Sequence, residues 1–249
     1  MQLRADGSTA ILQLNDPEHF NTFSTGLGED MRRAMQHIRV QPSVSSVVLQ
    51  GAGPHFSVGG NPYTIRCSHV MSPAAFAHSL RKLYDGFLNL RALPCTVVGA
   101  VHGILVGGGV AGCLHVDYLA ADHASTFEHG NLVRGVCVLG MLSRTFVLAL
   151  GPHAHHVYLQ NARLDATTAY AAGLVHRLCV GMLEVQAQAR EVARLASASA
   201  HGLNARPVDI FDSPMPVVWT VANDRVRIVG LFNASESSPE ARRVGEEWR

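Results

Sequence analysis

Residues 100–109 read Ala-Val-His-Gly-Ile-Leu-Val-Gly-Gly-Gly, and the reading of this stretch decides the fold. An apolar run from Thr96 to Val101 leads into it, and Val110-Ala111-Gly112-Cys113-Leu114 leaves it. That succession reads as a buried strand, a tight turn and the start of a helix. Glycines at such a turn let the backbone approach a ligand and present free N–H groups to it. The spacing is neither G-x-G-x-x-G nor G-x-x-x-x-G-K-[ST], so those two phosphate-cradling loops are not indicated. A turn that needs small residues only for packing would read the same way.

Working outward, residues 10–14 alternate as a short strand, and Asn15-Asp16-Pro17-Glu18-His19 is a turn. Ser24 is a helix cap, followed at helical spacing by Leu27, Met31, Ala34, Met35 and Ile38. Val47-Val48-Leu49 is a buried strand, and His55-Phe56-Ser57-Val58-Gly59-Gly60-Asn61-Pro62 is a second glycine turn. Residues 74–90 read as helix up to the break at Pro94, 116–121 as strand, and 125–140 as irregular. Helices are expected over 145–150, 166–173 and 182–198, with a strand starting at Leu174-Val175. Strands and helices alternate, which makes the class α/β with mainly parallel strands. Residues 1–180 form the core, and 181–249 are expected to be a C-terminal helical segment of the same domain.

The chain has 249 residues, 47% of them hydrophobic, enough for one large core. Arginine carries nearly all the positive charge, and 20 basic against 19 acidic residues leave no basic stripe. Nucleic acid and anionic membranes are therefore poor partners. Five widely spaced cysteines with no C-x-x-C argue against a disulfide framework or a zinc site, and for a reducing cytoplasm. Neither a secretory h-region nor a membrane-length apolar run is present. Most of the 14 histidines read as surface residues, as in Gly151-Pro152-His153-Ala154-His155-His156.

Four stretches in order resemble the crotonase family, the enoyl-CoA hydratase/isomerase superfamily. They are Leu14-Asn15-Asp16-Pro17 through Ser24, His55 through Asn61, Ala100 through Gly109, and Leu159 through Val175. The resemblance implies a spiral of ββα repeats, acyl-thioester chemistry, and a homotrimer or hexamer. It also implies no cofactor beyond the CoA or phosphopantetheine that carries the substrate. By carry-over, the N–H groups of Gly60 and Gly108 form the oxyanion hole. Two such donors stabilise an enolate oxygen by about 3–4 kcal/mol each in a dry pocket.

Hydratases of this family place one glutamate two residues after the triple glycine and another about twenty residues later. Those positions here are Ala111 and Asn131. Neither side chain transfers protons at neutral pH, so ordinary two-glutamate hydration is not expected. A narrower resemblance is to the decarboxylating members of polyketide β-branching cassettes, which act on a glutaconyl group held by an acyl carrier protein. Asn21-Thr22-Phe23-Ser24, Phe56 through Gly60, Gly107 through Gly109, Gly112-Cys113-Leu114 and Asp117 carry it. The lysine and C-terminal histidine of that subgroup have no counterpart in the matching stretches. Isomerisation and dehydration of the same kind of thioester are the alternatives, as is a non-catalytic protein that binds an acyl chain or a carrier protein.

His129 is the nearest ionisable residue to the missing glutamate and titrates in the useful range; otherwise it is a hydrogen-bonded structural histidine. Asn131 would bind a substrate carbonyl or carboxylate, or serve the turn beside Gly130. Glu128 is an alternative acid or a partner for His129 or an arginine. Tyr63 would donate to a carboxylate or enolate, or act as an aromatic lid. Arg66 offers a fork of donors to a carboxylate, or is a solvated helix residue. His102 reads as support behind the glycine turn. Cys137, with no activating neighbour in sequence, reads as buried apolar cysteine.

Overall fold

The computed structural model describes residues 2–60, 72–130, 132–134, 142–199, 218–222 and 225–230. In chain order, β1 (Gln2–Asp6), β2 (Thr9–Leu14), α1 (Thr25–Arg39) and β3 (Ser46–Gly51) are followed by α2 (Pro73–Leu88) and β4 (Thr96–Val101). Next come β5 (Ile104–Val106), α3 (Gly108–Cys113), β6 (Tyr118–Asp122), β7 (Thr126–Glu128), α4 (Leu142–Leu150) and α5 (His153–Leu159). Then follow β8 (Arg163–Asp165), α6 (Ala166–Ala171), β9 (Arg177–Cys179), α7 (Met182–Ser199), β10 (Val218–Ala222) and β11 (Arg225–Gly230).

The main sheet has the order β1-β2-β3-β4-β6-β9. Only its β1–β2 hairpin is antiparallel, and the strands from β2 onward run parallel. A parallel sheet is covered on both faces, so its strands read as continuous apolar runs. Every residue of β3 is buried accordingly. Alternation sends Val47, Leu49, Val97 and Val101 to one face, where Met31, Met35 and Ile38 of α1 pack. It sends Val48, Val98, Ala100 and Ala120 to the other, where Val185, Ala189 and Ala193 of α7 close a second core. Buried hydroxyls stitch that face: Ser197 donates to Ser46 at 2.9 Å, and Ser46 and Thr9 share a 2.9 Å bond.

The smaller sheet, β5-β7-β8, is what positions the glycine turns. The chain gives one strand to the main sheet and the next to the small one, β4 then β5 and β6 then β7, which is the expected doubled-strand repeat. Three expectations change. Residues 125–140 contain β7, whose short strand is fixed by pairing with β5 and β8 rather than by its own pattern. The strand expected at Leu174 begins at Arg177. Beyond α7, where more of a helical segment was expected, the described residues 218–222 and 225–230 form the β10–β11 hairpin.

Helix α1 starts as the sequence suggests, with Ser24 Oγ accepting the Leu27 N–H at 3.1 Å. It crosses α2 where two glycines meet. A Cβ on Gly86 would lie 2.8 Å from Gly28 Cα, and one on Gly28 would lie 2.9 Å from Leu83 Cα. Glycine inside a helix costs about 1 kcal/mol against alanine, so close packing explains its presence here. Gly86→Ala is expected to lower stability by about 1–3 kcal/mol, as overpacking does, instead of raising it by helix propensity. Urea unfolding gives the sign directly.

Candidate active site

The site is assembled from two glycine turns lying side by side. Phe56 donates its N–H to His102 O at 2.9 Å, and Val106 donates to Ser57 O at 3.1 Å. Ser57 pairs in parallel with Leu105. Beyond that pair, Gly59 packs against Val106 and Gly109 against Ser57, while Phe23 bridges to Gly60. Gly59 and Gly107 are both left-handed, with φ of 91° and 50°. Each chain therefore bends at the residue before the expected donor. Gly60 and Gly108 make no N–H hydrogen bond among the described residues.

Phe23 joins the two turns. Its N–H donates to Gly59 O at 2.7 Å, and its ring lies 3.0 Å from where a Gly108 Cβ would stand. Behind it, Phe87 packs edge-on at 5.5 Å. Asn21, buried and at φ 53°, anchors the first turn. Its Nδ2 donates to Ala52 O (2.8 Å) and His55 O (2.9 Å), its Oδ1 accepts from Asp16 N–H, and its carbonyl accepts from Ser57 Oγ–H. Asparagine tolerates the left-handed region because its short amide bonds locally. The available signal for this role in the sequence is an asparagine four residues after Pro17, at the end of the turn.

Ala111 is fully buried in α3 within the core, so no proton-transferring group stands at that position. His102, also buried, shares a 2.8 Å bond between Nε2 and Gly53 O, and burial lowers its pKa. That is support behind the turn. Asp117 accepts the Val97 N–H at 2.7 Å, a structural tie. Tyr63, Arg66, Asn131 and Cys137 lie outside the described residues.

The alternation of β7 separates its two candidates. His129 is buried, with its ring edge-on to Phe146 at 4.9 Å and to Tyr158 at 5.1 Å. Neither ring nitrogen has a hydrogen-bond partner among the described residues, and burial lowers its pKa to about 4. Burial thus favours the neutral imidazole, which offers a weak base or a neutral donor. Glu128 points the other way. Its carboxylate accepts from Arg163 at 2.9 Å and from Asn161 Nδ2 at 3.3 Å. Of the readings open for Glu128, the described contacts are those of a partner for an arginine.

Comparison with known proteins is decisive at this point. The sequence profile of the enoyl-CoA hydratase/isomerase family matches residues 4–206. The chain belongs to the enoyl-CoA hydratase/isomerase family. It is 31% identical over 198 residues to a putative enoyl-CoA hydratase of Thermus thermophilus, covering 78% of each chain. It is 30% identical over 173 residues to the probable enoyl-CoA hydratase EchA14 of Mycobacterium tuberculosis, covering 69% of this chain and 66% of that one. Among solved structures, a putative enoyl-CoA hydratase/isomerase from Mycobacterium abscessus superposes with a TM-score of 0.74 at 26% identity. That match covers 79% of this chain and 76% of the other. An enoyl-CoA hydratase from Polaromonas gives the same TM-score at 24% identity, covering 79% and 77%, a likeness of fold. The crotonase fold and an enoyl-CoA hydratase/isomerase-type thioester enzyme are thereby established. No helix among the described residues is long and apolar enough to cross a membrane.

Because His129 has a lowered pKa when folded, the unfolded chain binds its proton first as pH falls. Its contribution is present above pH 6.5 and is lost between about 6.5 and about 4. The full effect is up to about 3 kcal/mol, and His102 and His176 shift in the same direction. His129→Phe is expected to be near neutral at pH 7, and the variant should gain on the parent as pH falls to 5. Urea midpoints at the two pH values check this.

Proposed function

We propose that this protein turns over an acyl thioester through an enolate held by the Gly60 and Gly108 N–H groups, without two-glutamate hydration. The observation that carries the reading is that Gly60 and Gly108, in two adjoining turns, make no N–H hydrogen bond among the described residues, while a buried alanine occupies the sequence position of the family's glutamate. Decarboxylation of a glutaconyl-type thioester in polyketide biosynthesis is the reaction this constellation serves best. The bond between the γ-carbon and the carboxylate breaks, CO₂ leaves, and its electron pair spreads through the double bond onto the thioester oxygen. A proton drawn from solvent water and delivered to carbon completes the step. The hole stabilises the charge as it forms, so no strong base is required.

The substrate is carried by CoA or by the phosphopantetheine of an acyl carrier protein, and no other cofactor takes part. Proton handling falls to His129, with Asn131, Tyr63 and Arg66 at the acyl end. The enzyme works in the cytoplasm as a homotrimer or hexamer. Exposed Val147 and Leu148 of α4, Leu159 of α5 and Tyr170 of α6 supply apolar surface of the kind subunits cover. Light scattering at micromolar concentration checks the assembly, and a monomeric mass would count against it.

The deciding experiment incubates the protein with glutaconyl thioesters on CoA and on a carrier protein, and with crotonyl-CoA. Loss of the mass of CO₂ supports decarboxylation. Addition of water to crotonyl-CoA would instead make it a hydratase, as its relatives are named. An ultraviolet change without a mass change marks isomerisation, and binding without any turnover marks a non-catalytic acyl carrier.

Two further outcomes are expected. A Cβ at Gly60 meets nothing within 4 Å among the described residues, so Gly60→Ala should keep near-full turnover. Gly60→Pro, which deletes the N–H, should lose about 10²–10³-fold. With a neutral imidazole as the working form, kcat/KM should be flat from pH 6 to 8 and fall below about pH 5. A rate that instead climbs tenfold per unit on acidification would assign the proton to the imidazolium.

A further inference from the structure

Residues 128–130 carry the β7 end of the site, and each is tied to something different. Glu128 O accepts the Gly107 N–H at 2.9 Å, so its main chain holds the residue just before the donor Gly108. His129 packs against Phe146 and Tyr158. Gly130 donates its N–H to Asn161 Oδ1 at 2.9 Å. Asn161 sits between α5 and β8 at φ 48°, and its other amide atom, Nδ2, donates to Glu128 Oε1. Arg163 then holds the second carboxylate oxygen at 2.9 Å. The Glu128 side chain is 15% exposed and that of Arg163 64%, so the bond to the amide is the more sheltered of the two and the bond to the guanidinium faces water.

One amide thus closes a ring of contacts around His129. Asn161 Oδ1 grips the backbone after it, and Asn161 Nδ2 grips the side chain of the residue before it. Asn161 stands outside the paired turns themselves. We propose that the Asn161–Glu128 pair is a positioning device: it fixes the exit of β7, and through the Glu128 carbonyl and Gly107 it sets the Gly108 donor of the oxyanion hole. The proposal rests on the reading of Gly60 and Gly108 as that hole. The pair touches no reacting atom, and a shift of the donor by about 1 Å costs as much as 10²-fold in rate.

The chemistry of the pair suggests its own test. Asn161→Gly keeps the left-handed backbone at no steric cost and removes both side-chain bonds. Asn161→Asp keeps the acceptor for Gly130 but faces the Glu128 carboxylate with a second one. Glu128→Gln must turn its NH₂ toward either Asn161 or Arg163, both of which are donors. The exchanged pair Glu128→Gln/Asn161→Asp restores a donor opposite an acceptor, with the polarity reversed.

Each variant is measured as the full chain in three ways. Hydrogen exchange reads the Gly130 amide. Steady-state kinetics use whichever thioester the parent turns over. The absorption of bound dimethylaminocinnamoyl-CoA reads the hole, because that carbonyl absorbs farther to the red as it accepts stronger hydrogen bonds. Asn161→Gly and Asn161→Asp should lose at least about tenfold in kcat with KM held within about threefold. Their red shift should be smaller, and the exchanged pair should recover both within about threefold of the parent. Faster Gly130 exchange is expected in Asn161→Gly, with protection regained in the exchanged pair. Unchanged kcat and red shift in Asn161→Gly would overturn the proposal, as would an exchanged pair that folds but recovers neither. If the parent turns over no thioester, the functional reading fails by itself. The Gly130 exchange and the red shift still decide the positioning role, and a chromophore whose spectrum ignores all variants sinks it.

Discussion

Two peptide strands lie against each other at the centre of this site because two glycines have no side chain. A Cβ on Gly59 would stand 2.5 Å from Val106 O, and one on Gly109 would stand 2.3 Å from Ser57 O. Both distances are well inside van der Waals contact, and both obstacles are backbone that cannot swing aside. The close approach permits the Ser57–Leu105 pairing and the 2.9–3.1 Å backbone bonds around it. Beyond that pairing, the Gly60 and Gly108 N–H groups make no hydrogen bond among the described residues. Everything else near the site serves to hold this pairing in place: Asn21 and His102 behind the first turn, Phe23 across both, and Glu128 behind the second.

The support is polar and buried, which makes it specific. Asn21 satisfies four backbone or hydroxyl groups from one left-handed position. A buried carbonyl left without such a partner would cost about 1–3 kcal/mol. Phe23 and Phe87 exclude water from the inner side, and Tyr84 packs edge-on to Phe87 at 5.0 Å with its hydroxyl pKa raised by burial. In such surroundings a hydrogen bond to a developing oxyanion is stronger than in water. The same dryness disfavours charge on the protein, which is why His129, His102 and Cys113 are all pushed toward their neutral forms.

Much of this was legible from residue order. Ser24 as a cap, the α1 periodicity, the buried runs of β3 and β4, and the two glycine turns each follow from local rules, because propensity and burial act over a few neighbouring residues. Even the support role of His102 followed from its place just before a turn. The short strands β5, β7 and β8 did not announce themselves. Each is three residues long, too short for a period to show, and each exists because a neighbouring strand supplies its hydrogen bonds. The hairpin at 218–230 escaped for a related reason, since two apolar stretches separated by a short link look alike as helix or strand.

Sequence by itself determined the α/β class, the family, the two glycine turns and the absence of a carboxylate at Ala111, since these depend on residue identity at fixed spacing. Tertiary structure alone decided which way β7 faces. Alternation about one strand turned His129 into a dry aromatic enclosure and Glu128 toward Arg163 and Asn161, more than thirty residues away along the chain. Proton affinity and hydrogen-bond partnership are set by what the fold brings within about 3 Å, and that distance has no trace in the order of residues.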